Sequence, residues 1–89
     1  MTRAEVMIIN KLGLHARAAA KVVHTANEFD SEIFIGTADE EVNAKSILGL
    51  LTLAAAKGTP LTVRAEGEDE DQAVESLARL FGDRFGETE

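Results

Sequence analysis

Asn10-Lys11-Leu12-Gly13-Leu14-His15-Ala16-Arg17-Ala18-Ala19-Ala20-Lys21 is the stretch from which the rest of the chain can be laid out. Upstream, Arg3 to Asn10 alternates, with Ala4, Val6 and Ile8 on one face and Glu5, Met7 and Ile9 on the other, the period of a strand. Apolar residues among the outer positions predict a central strand or a partly covered second face. Gly13 then turns the chain. Downstream, alanines with Val22, Val23 and Ala26 predict a helix from about Ala16 to Asn27, its core stripe drawn from Ala19, Val22, Val23 and Ala26, with Phe29 closing its end. A strand, a glycine turn and a helix opening directly behind a histidine put the chemistry at that junction.

The helix start lacks the Ser, Thr, Asp or Asn that normally caps a first turn. His15 takes that position, and imidazole substitutes poorly for a capping oxygen. The N–H groups of Ala16, Arg17 and Ala18 are therefore expected to point outward, with the positive end of the helix dipole behind them. Such a helix end accepts anions. Arg17 adds a permanent cation with forked donors that suit phosphate oxygens, and His15 adds a nucleophilic nitrogen that is largely neutral near neutral pH. A phosphoryl group carries roughly −1.5 to −2 charges, which Arg17 and about +0.5 from the helix end would largely offset.

The remaining elements follow the same rules. Ser31 to Gly36 predicts a strand with Ile33 and Ile35 inward, Thr37 to Glu41 a polar turn, and Val42 to Ala44 a third strand, the two strands forming a hairpin. Ser46 caps a short helix reaching Leu53, and Ala54 to Thr59 turns the chain at Gly58. Strand four starts at Pro60, where a missing N–H is tolerated, with Leu61, Val63 and Ala65 inward. Asp69, followed three residues later by Gln72, resembles a capping box for a last helix whose stripe is Ala73, Val74, Leu77, Leu80 and Phe81. The segment from Gly82 to Glu89 is expected to fray. The order β-α-β-β-α-β-α predicts an α+β fold with helices on one face of an antiparallel sheet.

Composition narrows the functional classes. Eighty-nine residues make one small domain, able to bury about 60–65% of its unfolded surface. There is no cysteine, so neither a disulfide framework nor a cysteine-based zinc site is available. No apolar run approaches the about 20 residues of a membrane span, and the N-terminus lacks signal-peptide architecture, which makes a cytoplasmic location the default. A net charge of −7 argues against generic nucleic-acid binding. The charge is uneven: Lys11, Arg17 and Lys21 stand with no acidic residue between Asn10 and Asn27, whereas Glu66 to Asp71 is almost wholly acidic. A local basic site on an acidic protein suits a phosphate and an acidic partner surface. His24 follows His15 by nine residues, half a turn away around a helix of 3.6 residues per turn, so the two rings do not share a metal. A catalytic triad through Ser46 lacks the Gly-x-Ser-x-Gly elbow. No metal or other cofactor is expected.

Ile47, Leu48, Leu50, Leu51 and Leu53 are too many for one face of the short helix, so some must be exposed, and an exposed apolar patch beside a reactive site marks docking. Gly49, which costs about 1 kcal/mol relative to alanine, suggests close approach of a partner or of neighbouring backbone.

Gly13-Leu14-His15-Ala16-Arg17 resembles the active-site motif of HPr, the histidine phosphocarrier of the bacterial phosphoenolpyruvate-dependent phosphotransferase system. Lys45-Ser46-Ile47-Leu48-Gly49-Leu50-Leu51 resembles that family's second signature, at the expected distance, and the resemblance runs from about residue 2 to about residue 85. One departure is Ala18, where the family usually has proline; relatives in the nitrogen-regulatory branch often read His-Ala-Arg-Ala. The resemblance implies an open-faced β-sandwich of four antiparallel strands with three helices. It implies that His15 accepts a phosphoryl group on Nδ1 from enzyme I and passes it to enzyme II A domains, that Arg17 neutralises it, and that the protein is a carrier and not an enzyme. It places the partner surface at Ile47, Leu48 and Leu51, with Ala20, Lys21 and His24 alongside, and it likens Ser46 to a serine modified by an HPr kinase in some bacteria. A monomer without membrane or nucleic-acid partners is expected, the rival reading being a regulatory paralogue that docks according to its phosphorylation state.

Overall fold

The computed structural model describes residues 1–53 and 55–89. The elements are β1 (Thr2–Met7), α1 (Ala16–Ala26), β2 (Glu32–Gly36), β3 (Glu41–Asn43), α2 (Ile47–Leu53), β4 (Pro60–Glu66), α3 (Glu70–Gly82) and a single 3-10 turn at Arg84–Gly86. This is the predicted order. The start of the expected Ala54–Thr59 turn, Ala54, lies outside the described residues; the rest turns at Gly58, where Thr59 N–H bonds Ala56 O at 3.0 Å.

The four strands form one antiparallel sheet in the order β1-β4-β2-β3. β4 is the middle of the ladder, with Val63 facing Ala4 on one side and Ile35 on the other. Alternation along the strands buries Ile33, Ile35, Leu61, Val63 and Ala65 on one face, where Ala19, Val22 and Ala26 of α1, Leu50 of α2 and Leu77 and Phe81 of α3 complete the core. α3 lies closest on the sheet, over β1 and β4, whereas α1 packs mainly against α2 and α3. The opposite face is open and polar: Arg64 holds Glu41 with two hydrogen bonds of 2.7 and 3.0 Å and lies over the Phe34 ring.

Four expectations are corrected. β1 is an edge strand and its outer face is uncovered, Met7 being half exposed; strand adjacency is decided by pairing with the distant β4, to which alternation within β1 is blind. Asp69 stands at the N-cap of α3 but bonds no amide of that helix. It accepts from Asp30 N–H at 2.9 Å, Ser31 N–H at 3.0 Å and the Ser31 hydroxyl, tying α3 to the entry of β2, and the Ser31 hydroxyl followed by these amides holds its carboxyl below the usual carboxylate range.

The third correction is the C-terminal segment, which is docked. Phe85 is buried with its ring edge-on to Phe81, centroids 5.0 Å apart, and Lys21 Nζ donates to Phe85 O at 2.5 Å. Arg84 and Phe85 both sit at φ +56°, a left-handed conformation that costs a side-chain-bearing residue about 1–3 kcal/mol. Full burial of a phenylalanine, worth about 1.5–3 kcal/mol, together with its edge-to-face contact, offsets a large part of the cost at the two positions. Val23, expected in the α1 stripe, is only partly buried, and the buried methyl of Ala18 takes its place.

Candidate functional site

Between β1 and α1 the chain makes a tight turn. Gly13 N–H bonds Asn10 O at 3.2 Å, and Leu14 N–H bonds Ala55 O at 2.8 Å, pinning the turn against the segment after α2. Gly13 has φ +69°, and a Cβ there would stand 2.5 Å from Ala55 O. Only glycine meets both conditions. Asn10 is fully buried beneath the turn, and its Nδ2 donates to Gly13 O at 2.9 Å.

This turn delivers His15 to the N-cap of α1. Contrary to expectation, the imidazole does cap: Nδ1 accepts from Arg17 N–H, at 3.3 Å. The bond is longer than the usual 2.7–3.2 Å, so the amide is only weakly satisfied. The other ring nitrogen, Nε2, faces Glu87 Oε2. Asn10 Nδ2 donates to the second oxygen of that carboxylate at 2.9 Å. The Asn10 amide, then the His15 ring and the Arg17 charge, hold the Glu87 carboxyl below the usual carboxylate range, against a burial that pushes it up. An ionised carboxylate accepts only, which assigns the proton of the neutral ring to Nε2 and leaves the lone pair on Nδ1.

Around the ring lies a cleft of about 620 Å³ lined by Lys11, Leu12, His15, Arg17, Lys21 and residues 86–89. Two of its three cations hold the tail: Lys21 through Phe85 O, and Lys11 through its amide on Glu89 O and its ammonium 3.8 Å from the Glu89 carboxylate. Arg17 is exposed, and its guanidinium makes no hydrogen bond or ion pair among the described residues. The arrangement joins an unprotonated ring nitrogen, helix-start amides without i−4 partners and a guanidinium, the components of a site that forms and neutralises an N–P bond.

A family model described as "PTS HPr component phosphorylation site" matches residues 2–83. The chain belongs to the HPr family of phosphocarriers. It is 51% identical over 87 residues to the phosphocarrier protein HPr of Xylella fastidiosa, covering 98% of each chain. It is 44% identical over 89 residues to the phosphocarrier protein NPr of Shewanella violacea, again covering 98% of each. The fold superposes on the crystal structure of HPr-C-His from Thermoanaerobacter tengcongensis with a TM-score of 0.95 at 42% identity, covering 100% of both chains.

Set out on the HPr fold, the other residues singled out from the sequence fall into two further places. Ala20, Lys21 and His24, with Arg17, Thr25 and Leu80, line a shallow groove along the exposed side of α1. Ser46 caps α2, its Oγ accepting Gly49 N–H at 3.1 Å, while Leu50 and Leu53 are buried and Ile47, Leu48 and Leu51 are 44, 71 and 38% exposed. A Cβ on Gly49 would come 3.2 Å from Val42 Cβ and 3.3 Å from Ser46 Oγ, so the close approach at Gly49 is to side chains of its own protein. None of the α2 residues lines the His15 cleft. Sequence reasoning missed Asn10 and Glu87. The one available signal was Phe85, four residues after Phe81 and thus on the same face had α3 continued, which argued that the tail is anchored.

Proposed function

We propose that this HPr-family chain takes a phosphoryl group from enzyme I onto Nδ1 of His15 and passes it to enzyme II A domains or equivalent acceptors. It acts as a cytoplasmic, monomeric carrier that is consumed and regenerated. The observation that carries the reading is the His15 ring itself: Glu87 engages Nε2, so Nδ1 presents its lone pair toward the α1 amides in a cleft that Arg17 lines. Phosphoryl transfer asks mainly for positioning and electrostatic stabilisation, and the site supplies both, Arg17 neutralising the group and the amides of Ala16, Arg17 and Ala18 facing its oxygens. The exposed Ile47, Leu48 and Leu51, with Ala20, Lys21 and His24, are the surface on which partners dock. That patch also supports a second reading, a nitrogen-branch or other regulatory paralogue that docks according to its phosphorylation state; under either reading Ser46 is the candidate for modification by an HPr kinase. The test of the carrier is direct. Incubation with enzyme I and phosphoenolpyruvate should give one acid-labile, base-stable phosphate, and His15→Ala should abolish it; persistent labelling of the variant would sink the reading.

A further inference from the structure

Asn10 gives both protons of one buried amide to two different ends of the site. Nδ2 bonds Gly13 O at 2.9 Å, inside the turn that presents His15, and Glu87 Oε1 at 2.9 Å, on the carboxylate that faces the His15 ring. Only an NH2 group serves a carbonyl and a carboxylate together, so the partners fix the orientation of the amide. Its Oδ1 is left buried without a partner among the described residues, a cost in free energy incurred while both donors are used. The Glu87 and His15 side chains are only 15 and 26% exposed, so their pair is partly shielded from water, and the segment carrying Glu87 is anchored separately by Phe85 and Lys21.

We infer that Glu87, oriented by Asn10, is a positioning residue for phosphoryl transfer: its carboxylate holds the proton on Nε2 of His15 and balances the charge that the ring gains when Nδ1 bonds phosphorus. The inference rests on the carrier reading above. In the accepting step the Nδ1 lone pair forms the N–P bond while the bond from phosphorus to the enzyme I donor breaks, its electron pair leaving on the donor atom. The proton stays on Nε2, so the ring becomes cationic, and the Glu87 carboxylate lies against that charge. In the onward step the N–P pair returns to Nδ1 and a neutral imidazole departs. Without a proton at Nε2 the departing group would be an imidazole anion, a far poorer leaving group. Glu87 therefore favours both steps, and it makes the phosphorylated protein more susceptible to water.

The test compares the full chain with Glu87→Gln, which keeps the shape and removes the charge, and with Glu87→Ala. Using enzyme I and phosphoenolpyruvate, Glu87→Gln should lower kcat about tenfold, the scale of one hydrogen bond to a charged group, leave KM unchanged, and lengthen the lifetime of the isolated phosphoprotein. In 1H–15N spectra the wild-type Nε2–H should give a protected downfield signal that Glu87→Ala loses to exchange with water. Wild-type kcat and lifetime in Glu87→Gln, with labelling still abolished by His15→Ala, would overturn the role of Glu87 and leave the carrier standing. A rise in KM alone would make Glu87 a docking contact and likewise overturn it, as would an unprotected Nε2–H in the wild type. Absence of label on wild-type His15 would instead remove the carrier reading, and this one with it.

Discussion

At the scale of single residues, His15 caps α1 through Nδ1, the same nitrogen that the proposed carrier role uses as its nucleophile. The 3.3 Å contact with Arg17 N–H is weak enough to yield to a phosphate oxygen, which makes a shorter charge-assisted bond of about 2.7–2.9 Å. Ala18 fits this arrangement on both sides, its methyl buried in the core and its backbone keeping a donor that proline would remove. Arg17 has no core contact to lose. Arg17→Ala should therefore leave the melting temperature unchanged while slowing transfer from enzyme I by about tenfold to a hundredfold, the range for losing hydrogen bonds to a charged group. Stopped-flow or quench measurements of the labelled protein would decide it, and transfer at the wild-type rate would show that the phosphate lies elsewhere.

At the scale of elements, α2 shows how a seven-residue helix survives in water, where so short a segment is unstable alone. Leu50 and Leu53 anchor it to the core and Ser46 satisfies Gly49 N–H, a cap worth about 1 kcal/mol. Its remaining apolar residues, Ile47, Leu48 and Leu51, stay exposed. A negative charge at Ser46 meets the favourable end of the α2 dipole, so its expected effect is on the proposed docking and not on folding. Ser46→Asp should keep or slightly raise the melting temperature and lower the rate of transfer from enzyme I, with part of the loss relieved by salt. Lys45 Nζ is bound to Phe29 O at 2.8 Å and Lys21 Nζ to Phe85 O; neutral carbonyls hold these ammonium groups in place without removing their charge, so both contribute with Arg17 to that salt effect. A melting temperature well below wild type, or normal transfer at low salt, would make Ser46 a structural cap alone.

At the scale of the whole molecule, the first β-α junction and residues 86–89 meet at the cleft, one on each wall. Phe85 holds the second wall in place from outside the cleft. Phe85→Ala should destabilise the fold by about 3 kcal/mol, speed amide exchange across residues 84–89, and slow phosphoryl transfer although the changed side chain touches no phosphate; unchanged exchange would show that the tail is held by Lys21 and Lys11 without it. Read alone, the sequence determined the element order, the cap at Ser46, the excess of apolar residues on α2 and the grouping of His15, Arg17 and Lys21, because periodicity, capping and turn chemistry act between residues a few positions apart. Only the tertiary structure decided that β4 and not β1 lies within the sheet, that Asp69 serves Ser31 and not its own helix, and that Glu87 completes the surroundings of His15. Those contacts join residues separated by tens of positions, where a carboxylate near the chain end carries no local mark of the ring it will face; packing of Phe85 brings it there.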